Sequence, residues 1–266
     1  MDIRPTQHPP PEMGERDKHG GVSLILPAFN EAARIASTID EAVCYFEGRQ
    51  CGYEIIVAAD GDDGAREIVA GLGRTNPFLR LIGGPTRRGK GRGIREAVRS
   101  ATRAVVGFAD ADNKVPIAEF DKFAPVLAAG CPIVIGSRAL TRSVIERAQP
   151  WHRRAGTRGF RVLMQAVTGL RAISDTQCGF KFFQRDVAKQ IFALQKIDGY
   201  MYDVEILLLA QRLGLEVREI PIRWRDDGDS RLQLVRGNLR NVWDILRIRR
   251  VTRSAVRAVA IPPRAV

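Results

Sequence analysis

Val105-Val106-Gly107-Phe108-Ala109-Asp110-Ala111-Asp112 is an apolar run that stops on two carboxylates one residue apart. Val, Val and Phe followed by small residues suit a strand buried on both faces, as in a parallel sheet. The two acids then fall where the strand leaves the sheet, and in open parallel sheets ligands bind at that carboxyl edge. Asp-x-Asp there offers hard oxygen ligands to a divalent cation that also bridges substrate phosphates. The same residues fit a strand end followed by a helix cap, with Pro116 suited to a first helical turn. An isolated D-x-D leaves both readings open, and its neighbours decide between them.

Upstream, 22–27 (VSLILP) predicts a strand ended by proline. Asn30 is placed to cap a helix whose Ile35, Ile39, Val43 and Phe46 recur at helical spacing. Residues 53–59 (YEIIVAA) predict a second strand, broken by the turn Asp60-Gly61-Asp62-Asp63-Gly64. A short strand at 79–82 precedes a loop rich in glycine and cations, 83–91 (GGPTRRGKG), and a helix over 93–101. Downstream, 132–138 (PIVIGSR) reads as a strand, 202–213 as a helix and 216–224 as an additional strand, while Phe180, Phe182 and Phe183 read as core. Strands alternating with helices imply right-handed crossovers and an α/β fold, a mostly parallel central sheet with helices on both faces. Four loops then converge on one edge: those after Pro27, at Asp60, at 87–90, and at Asp110 and Asp112. A Gly-Lys-Gly loop lets backbone approach a nucleotide closely, Lys90 supplies a point charge, and Asp60 can accept a hydrogen bond from a base N–H. Together these describe a site for a nucleotide diphosphate and a cation. It is neither a P-loop nor a dinucleotide fingerprint, since both glycine patterns are missing.

The 266 residues can bury one substantial core with an extension, divided as a flexible leader (1–20), a main domain (21–230) and a basic C-terminal extension (231–266). Forty-two Lys and Arg against 30 Asp and Glu give a net charge of +12, which favours polyanions: nucleic acid, anionic lipid or phosphorylated substrates. Cys44, Cys51, Cys131 and Cys178 form no C-x-x-C pair and read as free thiols of a reducing compartment. The leader has no signal-peptide core and no apolar run is long enough to cross a bilayer, so a cytoplasmic protein, peripheral on the inner face of the cell membrane, is expected. Residues 151–169 predict a helix bearing Arg153, Arg154, Arg158 and Arg161. Beyond 231, Leu232, Val235, Leu239, Val242 and Leu246 recur at helical spacing among arginines. Such a basic amphipathic helix can lie on an anionic membrane or pack its stripe on its own domain. Nucleic-acid binding is the rival class, but stacking aromatics do not accompany the cations.

At these residues the chain resembles a known family. VSLILPAFNEAARI, YEIIVAADGDDG, RRGKGRG and FADAD are similar to the N-terminal motifs of inverting family 2 glycosyltransferases, which have the Rossmann-like GT-A fold. SDTQCGFKFF, YDVEILLLA and EIPIRW, with the GDSRL loop, narrow the resemblance to dolichyl-phosphate and polyprenyl-phosphate β-glucosyltransferases.

That resemblance implies transfer of a hexose, glucose first among them, from a UDP-sugar to a polyprenyl phosphate with inversion, assisted by Mg²⁺ or Mn²⁺. Position by position, it implies that Pro27, Ala28 and Glu31 border the nucleotide, that Asp60 contacts the base, and that Lys90 stands beside it. Asp112 is the implied principal metal ligand, with Asp110 nearer the ribose or sugar; Ser137 and Arg138 face the acceptor phosphate, and Arg231 sits on a loop closing over the donor phosphates. Arg153 and Arg154 add to the acceptor-phosphate side, and Asp175, Thr176 and Gln177 line the sugar and acceptor, with Asp203 further along. A phosphate acceptor is ionised at neutral pH and needs no base; a hydroxylated small-molecule acceptor, the alternative substrate, would need Asp175 or Asp203 to take its proton. The sequence departs from the family at Ala59, where an acid is usual, at Asn113-Lys114, where some relatives complete the metal shell, and in lacking the N-terminal membrane anchor of eukaryotic members.

Overall fold

A computed structural model describes residues 20–146, 159, 164–225 and 238–260. Seven strands make one sheet: β1 (Val22–Phe29), β2 (Tyr53–Asp60), β3 (Leu79–Ile82), β4 (Val105–Ala109), β5 (Ile133–Ser137), β7 (Phe180–Gln184) and β8 (Val217–Pro221). Their order is β3-β2-β1-β4-β7-β5-β8. All neighbours are parallel except β7, which runs antiparallel to both β4 and β5. Two short strands, β6 (Val144–Ile145) and β9 (Arg223–Trp224), pair separately beside the end of β5.

Helices cover both faces. On one side, α1 (Ala32–Gly48), α2 (Ala65–Leu72), the 3₁₀ turn Ile117–Lys122 and α4 (Ala124–Ala128) bury Ile35, Phe46, Val69, Phe120 and Phe123 against Leu24, Leu26, Ile55 and Val57. On the other, α3 (Lys90–Ser100), α5 (Arg185–Leu194), α6 (Tyr202–Arg212) and α7 (Asn238–Ala260) pack around Ile25, Ile56 and Phe108. The strands send successive side chains to opposite layers, so a strand buried on both faces is apolar along nearly its whole length; in β1 and β2 the buried exceptions Ser23 and Glu54 satisfy each other, Ser23 Oγ donating to Glu54 Oε1 at 2.6 Å. Each fully buried Phe or Ile stabilises by about 1.5–3 kcal/mol. Gly107 fits the middle of β4 because a Cβ there would stand 2.1 Å from the Phe182 ring on β7.

The predicted strands appear within a residue or two, 216–224 being split into β8 and β9. Three features differ from expectation. The aromatic run at 180 is core, and it is also the antiparallel strand β7. Helix α1 takes its first N–H bond not from Asn30 but from Asp63, whose Oδ2 accepts from Ala32 N at 2.8 Å while Oδ1 accepts from Ala65 N at 3.1 Å. In the C-terminal helix the inward positions are Asp244, Ile248 and Thr252, four residues apart and buried, with Ala255 and Val256 packed beside them. That face is occupied by the domain itself; the side chains of Leu239, Val242 and Leu246 in the predicted stripe lie outside the described ones. Leu232 and Val235 lie outside the described residues, as does the leader through residue 19.

Candidate active site

β1, β2, β4 and β5 end on one rim, and β7 begins there. At the end of β2, Asp60 is committed to the loop that follows β3: its Oδ2 accepts from Arg88 N at 2.7 Å, and its Oδ1 accepts from Gly84 N at 3.3 Å and lies 3.4 Å from Arg88 Nε. The carboxylate thereby fixes the loop that delivers Lys90. Pro27 and Ala28 close β1 beside it, Glu31 stands at the start of α1, and the Arg87 guanidinium lies 4.4 Å over the exposed Phe29 ring.

Lys90, the first residue of α3, reaches across the rim to the D-x-D acids. Its Nζ lies 2.5 Å from Asp110 Oδ1 and 5.9 Å over the Tyr202 ring. Burial works against its charge, but Asp110 and Asp203 outweigh burial and raise the lysine pKa. Asp110 is held at the strand end by its N–H to Gly179 O (3.1 Å), and a Cβ on residue 179 would stand 2.1 Å from Asp110 Oδ2. Only glycine at 179 leaves the carboxylate room. Asp112, two residues on, accepts Lys114 N at 3.3 Å and faces Lys114 Nζ at 3.5 Å. Burial and the neighbouring Asp110 charge raise the Asp112 pKa, partly offset by Lys114. The turn between them is pinned by Asn113, with φ 54°, whose N–H reaches Asp110 O and whose amide reaches Glu41 Oε2 at 2.6 Å.

Past β5, Arg138 and Asp175 form a bidentate pair, Nε–Oδ2 2.7 Å and Nη2–Oδ1 2.9 Å, with Arg138 N donating to Oδ2 at 3.0 Å. Burial would raise the Asp175 pKa, yet the Arg138 charge and its hydrogen bonds hold it down at about 2. Glu219 of β8 fixes the segment by accepting Ser174 N and Asp175 N at 2.8 and 3.0 Å. The guanidinium carbon lies 5.7 Å from the Trp224 ring centre. Ser137 is fully buried; its Oγ accepts Ala139 N at 3.4 Å, so it shapes the turn that aims Arg138.

A second charged layer lies beneath. Lys181 of β7, fully buried, donates to Asp203 Oδ1 and to Cys178 O, both at 2.5 Å. Asp203 is 2% exposed; burial raises its pKa, with Lys181 and Lys90 pulling the other way. It sits below the rim, tied to lysines, rather than open to a substrate. Tyr200, which sequence reasoning passes over, interacts electrostatically with Lys90, Asp110, Asp203 and Arg138, and burial pushes its pKa up. Its only signal in sequence is its place just ahead of YDVEILLLA. Burial, then Asp175, lifts the Cys178 thiol to about 12, which suits a packing residue.

Asp60, Lys90, Asp110, Asp112, Arg138 and Asp175 are thus brought to one rim. Arg153, Arg154, Arg158, Arg161 and Arg231 lie outside the described residues. Among the described residues no three His, Cys, Asp or Glu side chains gather in a metal-binding group. Two carboxylates at a strand end still fit a hard cation that draws its other ligands from phosphate and water.

Residues 23–192 match the family model described as glycosyl transferase family 2. The chain is 34% identical over 226 residues to a dolichyl-phosphate beta-glucosyltransferase of Drosophila melanogaster, covering 79% of this chain and 69% of that one. A similarly named Trichomonas vaginalis protein is 32% identical over 237 residues, covering 85% and 70%. The fold is similar to a crystal structure of glucosyl-3-phosphoglycerate synthase from Mycobacterium tuberculosis in complex with Mn²⁺, uridine diphosphate and phosphoglyceric acid. There the TM-score is 0.64 at 22% identity, over 88% of this chain and 80% of that chain.

Proposed function

The chain belongs to glycosyl transferase family 2, and from that premise we propose that it moves glucose from UDP-glucose to a polyprenyl phosphate, with inversion, at a membrane face. The observation that carries the reading is the reach of Lys90 from the Asp60-anchored loop to Asp110. It draws the nucleotide side and the D-x-D acids into one continuous site. The acceptor class follows from relatives about a third identical and named for a dolichyl phosphate. No helix among the described residues is long and apolar enough to cross a membrane.

In the proposed reaction an oxygen of the lipid phosphate forms a bond to the anomeric carbon as the bond from that carbon to the diphosphate breaks, its electron pair leaving with the nucleotide. The acceptor is already ionised, so the residues around it need only screen charge and orient it. Arg138, locked in direction by Asp175 and Ser137, is proposed to orient the acceptor phosphate with the part of its guanidinium that Asp175 does not engage. Lys90 stands where charge grows on the departing diphosphate, and pre-positioned cations there stabilise the transition state. Asp112 and Asp110 would hold Mg²⁺ or Mn²⁺, which when bound screens the two phosphates of the donor. Asp203 and Lys181 act from below by keeping Lys90 and β7 in place, and Asp60 by holding the loop that carries Lys90. Arg153, Arg154 and Arg231 are proposed to add cations on the acceptor and donor sides respectively.

A panel of radiolabelled nucleotide sugars offered with polyprenyl phosphate, followed by solvent extraction, tests the assignment. Label from UDP-glucose should enter the organic phase in a cation-dependent reaction. Label that stays aqueous, or moves only to a water-soluble hydroxylated acceptor, would overturn it.

A further inference from the structure

Each carboxylate of the D-x-D pair already has an ammonium partner from the chain itself. Asp110 has Lys90 at 2.5 Å. Asp112 has both oxygens engaged by one residue, the Lys114 N–H on Oδ1 at 3.3 Å and the Lys114 Nζ near Oδ2 at 3.5 Å. We infer that Lys114 and Lys90 are resident counter-cations that hold the divalent-cation site closed in the ligand-free protein, and that a nucleotide diphosphate opens it by drawing the ammonium groups onto its own oxygens. Cation and nucleotide then bind as one coupled event. This rests on the metal-dependent transferase reading and adds the residues that set the coupling.

Three observations carry it. First, Lys114 is mostly covered: its side chain is 14% exposed, and its Nζ lies 6.0 Å over the Trp224 ring, so its charge is directed at Asp112 rather than at open solvent. Second, the side chain is not needed to shape the turn. Asn113 does that, through its φ of 54°, its N–H to Asp110 O and its amide to Glu41. Third, the described residues supply only two carboxylates at this place, with no further acid, His or Cys completing a metal group. A bare dication would therefore find both D-x-D acids already served by ammonium groups, which disfavours it. A diphosphate reverses the balance by bringing negative charge that serves both lysines and the cation. Linkage then requires that cation and nucleotide each tighten the other by the same factor.

The test is a Mn²⁺ titration of the full chain, followed by the paramagnetic resonance of free Mn²⁺, with and without UDP, on the parent protein, Lys114→Met and Lys114→Gln. Thermal melting checks that each variant is folded, and the glutamine variant serves if the methionine one is not. The parent should bind Mn²⁺ weakly alone and at least about tenfold more tightly with UDP. Lys114→Met should bind Mn²⁺ without UDP at least about tenfold more tightly than the parent, with the UDP enhancement reduced to match. Lys114 variants that bind Mn²⁺ alone no better than the parent, while UDP still enhances binding, overturn the inference and leave the transferase reading standing. If the parent takes up no Mn²⁺ even with UDP, the inference and the metal-dependent reading fall together.

Discussion

Replacing Asp175 with asparagine keeps the shape of the side chain and removes the charge that Arg138 grips with three hydrogen bonds of 2.7–3.0 Å. A carboxylate held at about 2 rather than the usual 3.8 contributes about 2 kcal/mol to stability at neutral pH. Removing one partner of a buried pair also strands the other charge, a cost of about 3–5 kcal/mol when burial is complete. Arg138 keeps 31% side-chain exposure, and water relieves part of that. The expected loss for Asp175→Asn is therefore about 2–3 kcal/mol in urea unfolding at pH 7. The sign of its pH dependence is fixed: the unfolded carboxylate takes up its proton at a higher pH than the folded one. The charge contribution is thus fully present above the unfolded value and is lost as pH falls through the folded one. About half of the 2 kcal/mol should be gone at pH 3, narrowing the gap between parent and variant. A gap below about 0.5 kcal/mol at pH 7, within the range of an ordinary surface change, or one that stays constant down to pH 3, would refute the reasoning. The variant should also raise KM for the phosphate acceptor more than it lowers kcat, because Arg138 loses its aim.

Asp112→Ala should abolish transfer, measured with labelled donor, while the melting temperature stays within a few degrees, since a rim carboxylate contributes little packing. Gly179→Ala places a Cβ against Asp110 and should push that carboxylate off Lys90, lowering kcat/KM by at least about tenfold in a protein that still folds; wild-type kinetics would show that Asp110 moves aside harmlessly. Asp203→Asn leaves the fully buried Lys181 ammonium without the carboxylate it pairs with, and should cost about 3–5 kcal/mol in urea unfolding. Ending the chain after Gly237 removes Ile248 and Thr252 from the core, so it should lower the melting temperature by at least about 5 °C; unchanged melting would show that α7 is dispensable to the fold.

The open sheet was legible because β1, β2 and β4 are apolar on both faces, which parallel strands require and few other elements show. The rim followed, since strand ends and the Gly-Lys-Gly loop are local features. What escaped is set by contacts distant in sequence. A lysine in the middle of FKFFQ looks like a surface residue or a break in the pattern; only Asp203, 22 residues on, makes Lys181 a core residue and the segment a central strand. Asp175 looks like a candidate acid until Arg138, 37 residues earlier, is seen to occupy it. In α7, Asp244, Ile248 and Thr252 are turned inward, and a mixed acidic, aliphatic and hydroxyl stripe carries no clear apolar period. Asp60 was legible as a rim acid, but its occupation by Gly84 and Arg88 was not, because backbone donors leave no mark on side-chain spacing.

The buried lysine of β7 also works as a register pin. Its neighbours Phe180 and Phe182 join the opposite layer, so sliding the strand by one residue would drive an ammonium among Phe120 and Phe123 and set a phenyl ring against Asp203. The strand therefore has a single seat. Because Gly179 lies immediately ahead of the strand and Asp175 a few residues before it, that seat also sets how far Asp110 stands from Arg138, a ruler cut into the middle of the sheet.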